Sequence, residues 1–494
     1  MVIRSYHDCD EVGVTAVLGL HCSDGFRPTR RTETTTGRLC RVSVNVLWFR
    51  RDLRLEDHHA LAAASAEGPV VPLYVIDPDL WNRSGAPRQA FLGASLQKLN
   101  ASLGGTLVLR CGRPADLIPA FVAEVGAHSV FVTGDHSPFG RRRDDEIERK
   151  LRTTHHHLVR CGSNYAVEPG QVRKSDGTPY AVFTPFSKAW RQVGWPRPIA
   201  VPDVTWRGSP EIRCDGYPPA PAWERDVDGA GEQAAHQRWA SFRERGLNTY
   251  DADRNSPAMD GTSRLGPHLR FGTIHPRLLL ADLQGTRAHD VFANELAWRD
   301  FYADVLWHRP ESAWKNLQPK MNAMPCDSGE RAEARFRSWC AGETGFPIVD
   351  AGMRQLSQTG FVHNRLRMVV ASFLIKDLHL PWQWGARHFM QHLTDGDIAS
   401  NNHGWQWTAG TGTDAAPYFR VFNPVSQSER FDPDGTYIRR FVPELAEVSD
   451  REIHAPWASK RGIPLGYVAP MVDHAVERDE ALRRYALVSA SRAR

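Results

Sequence analysis

The stretch VNVLWF at residues 44–49 is short, apolar and rich in branched side chains, and polar residues follow it. Three similar runs come later, each followed by turn residues: PVVPLYVID at 69–77, TLVLRC at 106–111 and SVFVTGD at 129–135. Apolar runs of this length are typical of buried strands. We therefore predict four strands between residues 44 and 135.

Helical patterns separate these runs. In PRQAFLGASLQKLNASL (87–103), Leu92, Leu96, Leu99 and Leu103 are spaced by four, three and four residues, which places them on one face of a helix. Alternation of strands and helices predicts an α/β fold, a doubly wound parallel sheet with helices on both faces. No GxGxxG motif follows the first run, so this region lacks the dinucleotide-binding fingerprint.

The pattern changes after residue 195. Residues 196–235 are rich in proline and glycine and show little periodicity, which indicates a connector. Helical periodicity follows in HQRWASFRERG, VFANELAWRDFYADVLWH, EARFRSWCAG and FVHNRLRMVVASFLIKDL. We expect an N-terminal α/β domain at 43–172, a long connector at 173–235, an all-helical domain at 236–486 and a short tail at 487–494.

The composition excludes several classes of protein. The net charge of +4 over 494 residues is too small to indicate nucleic-acid binding by itself. Eight scattered cysteines without metal-ligand spacing predict reduced thiols, a cytoplasmic location and no metal site. No apolar run approaches the roughly 20 residues of a membrane span. Residues 1–42 do not resemble a secretory signal, so we expect a disordered leader or a start codon assigned too early.

The segment DGDIASNNHGWQW (395–407) packs two carboxylates, two asparagines and two tryptophans closely together. Asp395 and Asp397 fit the first two ligand positions of a calcium loop. Ala399, Ser400 and Gln406 then occupy positions that would need a ligand, a glycine and a glutamate. The two acids must therefore serve something other than calcium.

The two tryptophans of this segment differ in direction. Trp405 and Trp407 are two residues apart, so on a helix they point about 200° away from each other. They are not expected to line one wall of a pocket as a stacked pair. One is free to face a ligand while the other faces inward, toward Trp382 or Trp384.

Two helical stretches place ligand-binding side chains on one face. In FVHNRLRMVVASFLIKDL the set is Asn364, Arg367 and Met368, and a partly buried arginine there needs an anion such as the acids of DGD. In NELAWRDFY a carboxylate and large aromatics suit a flat polar ligand, although a salt bridge beside a packed tryptophan is the alternative. The residues of this second face are Glu295, Trp298, Arg299 and Tyr302.

GTSRLG at 261–266 is a third candidate element. Two hydroxyl groups, an arginine and flanking glycines before a helical stretch are suited to holding phosphate, since exposed backbone N–H groups favour anions there. Many helix caps have the same appearance.

Six motifs, in order, resemble the photolyase/cryptochrome family, most closely the class I members that repair cyclobutane pyrimidine dimers. The resemblance runs from about residue 44 to about residue 486. It implies light-driven repair of UV-damaged DNA with FAD as cofactor. The motifs are VNVLWFRRDLRLEDHHAL, GTSRLGPHLRFGTIHPR, NELAWRDFY, TGFPIVDAGMRQL, TGFVHNRLRMVVASFLIKDL and DGDIASNNHGWQWTAGTGTDAAPYFRVFNP.

The resemblance implies that FAD binds in the helical domain. In the family pattern the GTSRLG loop holds the phosphates, Arg367 pairs with Asp395, and Asn401 faces the central-ring nitrogen of the flavin. Gly266 stands where relatives often have serine, so one hydroxyl contact is expected to be missing. The implied cofactor-binding residues are Tyr250, Thr262, Ser263, Arg264, Leu265, Gly266, Arg367, Asp395, Gly396, Asp397 and Asn401.

The resemblance also implies a dimer flipped out of the DNA duplex. An electron passes from the excited reduced flavin to the dimer, the ring splits and the electron returns, with Glu295, Asn401, Trp405 and Trp382 as catalytic residues. Glu295 would donate a hydrogen bond to a dimer carbonyl, which requires a protonated carboxyl, and burial favours that form. Trp298 and Trp407 would stack on the bases. The implied DNA-contacting residues are Arg254, Glu295, Trp298, Arg299, Tyr302, Asn364, Arg365, Met368, Trp407 and Gln427.

Two departures from the family pattern stand out. Trp405 and Trp382 match the inner two members of a three-tryptophan photoreduction relay, but counting back from Trp339 places the outer member on Gly329. Either a gap displaces the true partner, or photoreduction uses another exit or works poorly. Phe139 and Gly140 stand where folate-binding relatives carry Asn-Glu. DHSPFGRRRD (135–144) is more similar to deazaflavin-binding relatives, which favours 8-hydroxy-5-deazaflavin over methenyltetrahydrofolate as antenna chromophore, with Asp135 as a contact.

Three other functions were weighed against dimer repair. A (6–4) photolyase would normally have histidines around the positions of Asn364 and Met368. A cryptochrome photoreceptor usually has a long C-terminal tail, whereas few residues follow DEALRRYALV. A redox flavoprotein unconnected with DNA would not bind irradiated DNA in a salt-dependent manner.

We expect the protein to be a monomer.

Overall fold

The computed structural model describes residues 44–208, 212–218, 223, 229–413 and 420–490. The expected leader at 1–42 lies outside these residues, as do residues 491–494 of the expected tail. The strands are β1 (Val44–Phe49), β2 (Val70–Ile76), β3 (Val108–Cys111), β4 (Ala127–Gly134) and β5 (His157–Ser163). The helices of the N-terminal region are α1 (His59–Glu67), α2 (Pro78–Trp81), α3 (Ala86–Ser102), α4 (Pro114–Val125) and α5 (Pro138–Arg152).

The rest of the described chain is helical. A π-helical turn, Phe373–Asp377, continues the fourteenth helix. None of the described helices is long and apolar enough to cross a membrane. The helices are α6 (Phe183–Val193), α7 (Glu232–Arg245), α8 (Tyr250–Asp253), α9 (Gly266–Phe271), α10 (Pro276–Ala281), α11 (Arg287–His308), α12 (Glu330–Ala341), α13 (Pro347–Thr359), α14 (Asn364–Ser372), α15 (Trp382–His392), α16 (Ile398–Ala409), α17 (Pro424–Phe431), α18 (Thr436–Phe441) and α19 (His474–Ala490).

The five strands form one parallel sheet in the order β3-β2-β1-β4-β5. Successive side chains of β1 enter different cores, as the pleat of a strand requires. Val46 and Trp48 pack with residues of α4 and α5, whereas Leu47 and Phe49 pack with residues of α1 and α3. The prediction of a doubly wound sheet with helices on both faces is confirmed.

Strand β5 was absent from the sequence-based prediction. It pairs only with β4 among the described strands, and only Leu158 and Ser163 of its residues are buried. Its sequence, HLVRCGS, therefore lacks the continuous apolar run that identifies a strand buried on both faces. Edge strands of this kind leave a weak signal in the sequence.

The expected connector at 173–235 contains helix α6. Phe186 and Trp190 of this helix are buried, and the ring of Phe186 lies 4.9 Å from that of Phe301 on α11. The indole N–H of Trp190 donates to Asp300 at 2.9 Å. The helical layer thus begins well before residue 236, and at the other end α19 continues into the expected tail as far as Ala490.

A buried ion pair joins the loop after β1 to helix α10. Both carboxylate oxygens of Asp57 accept hydrogen bonds from Arg277, at 2.9 and 3.0 Å, and His275 lies 2.9 Å away. Burial favours the neutral carboxyl, but the contacts with His275 and Arg277 outweigh it and lower the pKa of Asp57 to about 2. Asp57 has a positive φ of 51°, a conformation that aspartate and asparagine tolerate better than most residues.

We predict that Asp57→Asn will destabilise the fold through loss of charge alone, because asparagine tolerates the same backbone conformation. Removing one partner of a buried ion pair costs about 3–5 kcal/mol, so the urea unfolding midpoint should fall correspondingly. The wild-type advantage should be present above about pH 4 and disappear as the pH falls toward 2, because the folded-state pKa lies below the ordinary value. Asp479→Asn, at an exposed position on α19, is the control and should leave the midpoint unchanged.

Candidate functional site

A cavity of about 490 Å³ lies among α8, α9, α11, α14 and α16. Its volume is within the range of small-molecule and cofactor sites. Most of the residues predicted from the sequence line it, and they are Tyr250, Arg254, Thr262, Gly266, Glu295, Trp298, Arg299, Tyr302, Asn364, Arg365, Arg367, Met368, Asp395, Gly396, Asp397, Asn401, Trp405 and Trp407.

Helices α11 and α14 present their predicted faces to this cavity. The four residues of α11 from Glu295 to Tyr302 that share a face all line it, while Ala297 and Phe301 are buried in the core. Asn364, Arg367 and Met368 of α14 also line the cavity, while Leu366 and Val369 of the same helix are buried in the core. The helical spacing therefore predicted both walls of the site.

Asp397 links the cavity to the sheet. One carboxylate oxygen accepts from the N–H groups of Ala399 and Ser400, both at 3.1 Å, and so caps α16. The other oxygen pairs with Arg51 at 2.6 Å. Burial opposes ionisation, yet Arg51 and Arg270 outweigh it and lower the pKa of Asp397 to about 2.

Arg51 was missed in the sequence analysis. It lies just beyond the carboxyl end of β1, the central strand of the sheet. In open parallel sheets, ligands bind outside the carboxyl ends of the strands where the strand order reverses. That rule, applied to the arginines of FRRDLR, would have identified it.

Asp395 pairs with Arg367 at 2.8 Å, as the sequence analysis anticipated. Its other oxygen is buried without a hydrogen-bond partner among the described residues. Gly266 is packed tightly against this carboxylate, since a Cβ there would lie 2.5 Å from Oδ2 of Asp395. A serine at Gly266 would displace the acid, so the glycine and the Asp395–Arg367 pair belong together.

Positive charge predominates in the cavity. Six arginines line it against three carboxylates. Burial, together with the neighbouring Arg51, lowers the pKa of Arg270 to about 9. An anionic ligand would relieve this imbalance, and pyrophosphate is suited to bind several guanidinium groups.

Glu295 and Arg254 form an ion pair of 2.7 Å inside the cavity. Burial raises the pKa of Glu295, and Arg254 acts in the opposite direction. Nearby, the indole of Trp298 stacks on Phe183 with 3.7 Å between ring centroids and 7° between planes. That face of Trp298 is therefore covered, so any stacking partner in the cavity must use the remaining surface of the indole.

Trp405 and Trp407 both reach the cavity, but they are packed differently. Trp405 is buried against α15, where a Cβ on Gly385 would collide with its ring, and its ring centroid lies 6.1 Å from that of Trp339. Trp407 is half-buried. Trp405 also packs against the protein interior, where its neighbours with ring contacts include Phe389 and Trp339 rather than the expected Trp382 or Trp384.

Several predicted residues do not line this cavity. Leu265 is buried in the core, and Arg264 pairs with Asp260 at 2.9 Å. The backbone carbonyl of Ser263 accepts from Arg238 at 2.8 Å. The GTSRLG loop thus contributes Thr262 and Gly266 only. Gln427 lies on α17, and Trp382 lines a separate cavity.

Asp135, the residue expected to contact an antenna chromophore, is already bound by neighbouring side chains. Asp135 accepts from the N–H and the hydroxyl of Ser137, at 3.1 and 2.8 Å, and pairs with Arg143 at 3.2 Å. The gap bounded by Asp135, Arg51 and Asn164 has no room for a water-sized molecule. A ligand that contacts Asp135 would therefore require Arg143 to move.

Two family models match the chain: DNA photolyase over residues 45–203, and the FAD-binding domain of DNA photolyase over residues 292–487. This chain belongs to the DNA photolyase family. It is 38% identical over 482 residues to the deoxyribodipyrimidine photo-lyase of Escherichia coli, an alignment that covers 90% of this chain and 98% of that protein.

Solved structures agree with this assignment. A class III photolyase from Agrobacterium tumefaciens superposes with a TM-score of 0.85 at 36% identity, covering 92% of this chain and all of that one. A cryptochrome from Synechocystis superposes with a TM-score of 0.82 at 28% identity, covering 89% and 99%. Photolyases and a cryptochrome thus share this fold.

The residues of the large cavity fit the FAD that this photolyase domain binds. The surplus of arginines suits the pyrophosphate, and the unpartnered oxygen of Asp395 can accept a hydrogen bond from the cofactor. Asn401 lines the cavity with its amide nitrogen donating to the carbonyl of Ala386 at 3.1 Å, which fixes the direction of its amide oxygen.

We predict that Gly266→Ala will reduce FAD binding at least about tenfold, because the added Cβ must displace Asp395 from Arg367. A tenfold loss corresponds to about 1.4 kcal/mol, less than the cost of disrupting a partly buried ion pair. The measurement is the ratio of FAD to protein after purification, with the dissociation constant from titration of the apoprotein.

Gly404→Ala is the matched control. It lies on α16 in the same cavity, but an added Cβ would meet no described atom within 4 Å. Equal FAD content in the two variants would show that the close approach of Gly266 to Asp395 has no role in binding.

Proposed function

We propose that this protein repairs cyclobutane pyrimidine dimers in DNA with light absorbed by fully reduced FAD. The observation that carries the proposal is a single cavity that combines two kinds of lining group. Arg367, Asp395 and Asp397 supply charged groups suited to the cofactor, and other residues of α11 and α14 supply a carboxyl, aromatics, an amide and a thioether suited to the lesion. Reduced FAD, when bound, supplies a photoexcited electron donor.

Glu295 is proposed to donate a hydrogen bond to a dimer carbonyl. That role needs the protonated form, which burial favours and Arg254 disfavours. A DNA phosphate that drew Arg254 away would leave Glu295 as an uncompensated buried carboxyl, and the proton would then be retained. Because the carboxyl donates only while protonated, repair should decline as the pH rises through its raised pKa.

The mouth of the cavity is proposed to bind the DNA backbone. Burial, and then the like charges of Arg254, Arg430 and Arg420, lower the pKa of Arg365. Phosphate groups would relieve this crowding, and binding should weaken with salt as counterions are released. Trp298 and Trp407, which line the cavity together with Asn364 and Met368, are proposed to supply stacking surfaces for a dimer flipped out of the duplex.

The relay residues are proposed to act in reduction of the resting cofactor. Trp405 lines the large cavity and lies closest to the flavin site, and Trp382 lines the neighbouring one. Asn401 is proposed to face the central ring of the flavin and to hold it reduced. Repair by chemically reduced protein should not require the relay.

Three further assignments rest on the sequence. We propose that the protein is a cytoplasmic monomer, in line with the free cysteines of the described residues. We also propose 8-hydroxy-5-deazaflavin as antenna chromophore, which requires Arg143 to separate from Asp135. Mass spectrometry of chromophores extracted from protein produced in a deazaflavin-synthesising host tests this; their absence would contradict it.

The second candidate is a cryptochrome-type photoreceptor, favoured by the similarity to the Synechocystis structure. A (6–4) photolyase is less well supported, because Asn364 and Met368 occupy the lesion side of the cavity. Dithionite-reduced protein should be tested on oligonucleotides carrying either a cyclobutane thymine dimer or a (6–4) lesion, in blue light and in darkness. Light-dependent restoration of the dimer alone would support the proposal, whereas failure on both lesions with FAD bound would exclude it.

We predict that Glu295→Ala will lower dimer repair per absorbed photon roughly 10- to 100-fold, because a hydrogen bond to a charged group is worth about 1.5–3 kcal/mol. Glu295→Gln keeps a donor at that position and should retain most of the activity. The measurement is the quantum yield of repair with saturating DNA. Equal losses in both variants would show that a donor at Glu295 is unimportant.

A further inference from the structure

A second cavity, of about 330 Å³, lies among the segment after Trp314, the start of α15 and helix α19. It shares no lining residue with the large cavity. Its volume is at the lower end of the range for small-molecule sites. Cys326, one of its lining residues, is exposed, so the cavity reaches the surface.

Trp382 forms part of the wall of this cavity. Its indole N–H donates to the side-chain oxygen of Asn316 at 2.8 Å, and the amide nitrogen of Asn316 donates to Asn322 at 2.9 Å. An amide oxygen is a weak base and does not take the indole proton. An oxidised Trp382 would therefore keep its proton against this acceptor, and a donor in the cavity could restore it by electron transfer.

The position expected for the outer tryptophan of the relay is occupied by a glycine, Gly329, and has no aromatic ring. Gly329 lies at the start of α12, and a Cβ there would meet no described atom within 4 Å. The chain just before it is held against the cavity wall, since the N–H of Asp327 donates to the carbonyl of His379 at 2.9 Å. Where the family pattern places an outer indole, this chain has open space beside a cavity.

The cavity contains an unsatisfied polar group. Thr411 is 5% exposed, lines the cavity, and its hydroxyl has no hydrogen-bond partner among the described residues. Buried polar groups without partners are rare in folded proteins and call for a ligand or an ordered water. Asn322 and Gln383 add further amide groups to the wall.

The charge of the lining is balanced. Arg484 pairs with Asp327 and with Glu480, each at 2.7 Å, and His379 lies 2.7 Å from Glu477. Among the described residues, no carboxylate lines the cavity. The wall therefore suits a small neutral molecule with hydroxyl or thiol groups better than an anion or a cation.

We propose that this cavity binds a small neutral thiol, which reduces oxidised Trp382 and so replaces the outer tryptophan. The proposal rests on the proposed function only in that Trp382 must be oxidised when the resting cofactor is photoreduced. The thiol loses one electron to the indole and one proton to water at the cavity mouth. Two such steps yield two thiyl radicals, which couple to a disulfide, so that two thiols supply two electrons and two protons.

Binding is tested first, in darkness, with dithiothreitol as the probe and saturation-transfer NMR on the FAD-loaded protein. We expect transfer to the probe from the wild-type protein and from Cys326→Ser, but not from Cys326→Phe, whose ring would fill the cavity. Cys111→Phe, at an exposed cysteine at the end of β3, is the matched control and should resemble wild type. Equal transfer in all four proteins would overturn the proposal.

Electron transfer is tested by following decay of the tryptophan radical after a light pulse, without DNA. For wild type the decay rate should saturate with dithiothreitol concentration, and 2-mercaptoethanesulfonate, an anionic thiol, should be at least about tenfold less effective. Cys326→Phe should lose saturation and slow at least about tenfold. Thr411→Val should raise the half-saturating concentration roughly 2- to 12-fold, the worth of one neutral hydrogen bond.

Three results would refute this mechanism. A linear concentration dependence shared by wild type and Cys326→Phe would indicate random collisions. Loss of the reaction in Cys326→Ser would make the protein's own thiol the donor. Full photoreduction in Trp382→Phe would place the exit elsewhere, for example through Trp339.

Failure of the proposed function would be seen separately, because dithionite-reduced wild-type protein would then not repair dimers. Cys326→Phe reduced with dithionite should repair dimers normally.

Discussion

The contact between Asp397 and Arg51 is the constraint on which the site depends. One carboxylate caps α16 and, with its second oxygen, holds an arginine from the end of the central strand β1. Since the cap sets where α16 begins, it also sets the positions of Asn401, Trp405 and Trp407 further along that helix. A carboxylate in this position must stay ionised, and Arg51 with Arg270 ensures that it does.

The same contact helps to explain how several arginines can line one cavity without destabilising the fold through mutual repulsion. Arginines brought together around one cavity repel one another, and two acids close in sequence, Asp395 and Asp397, each neutralise one of them. The remaining positive charge is left for a ligand with phosphate groups. Gly266 is part of this arrangement, because a Cβ there would lie 2.5 Å from the Asp395 carboxylate as it is placed beside Arg367.

Much of the site was predictable because helical periodicity reports directly which residues share a face. Glu295 with Trp298, and Asn364 with Arg367, lie in the cavity as their spacing indicated. Contacts between distant segments leave no such periodic signal, which is why Arg51 was missed although Asp397 was found. The edge strand β5 and helix α6 were missed for a related reason, because alternating or proline-flanked sequences take their structure from the surfaces they pack against.

The surroundings of Asp135 show a second limit of prediction from a sequence motif. A motif predicts which residues meet a ligand, but the volume left between them depends on all their neighbours. Arg143 and Ser137 already satisfy Asp135, so a chromophore would reach this carboxylate only after Arg143 separated from it.

The arrangement of α15 and α16 places the two tryptophans of the proposed relay at different cavities. Gly385 on α15 admits the ring of Trp405 from α16, so the two helices pack closely at this point. Trp382 lies at the start of α15 and faces a cavity with no lining residue in common with the one that opens toward Arg254 and Arg365. DNA bound at that mouth would leave the Trp382 side accessible, so reduction of the cofactor and occupancy by substrate need not exclude each other.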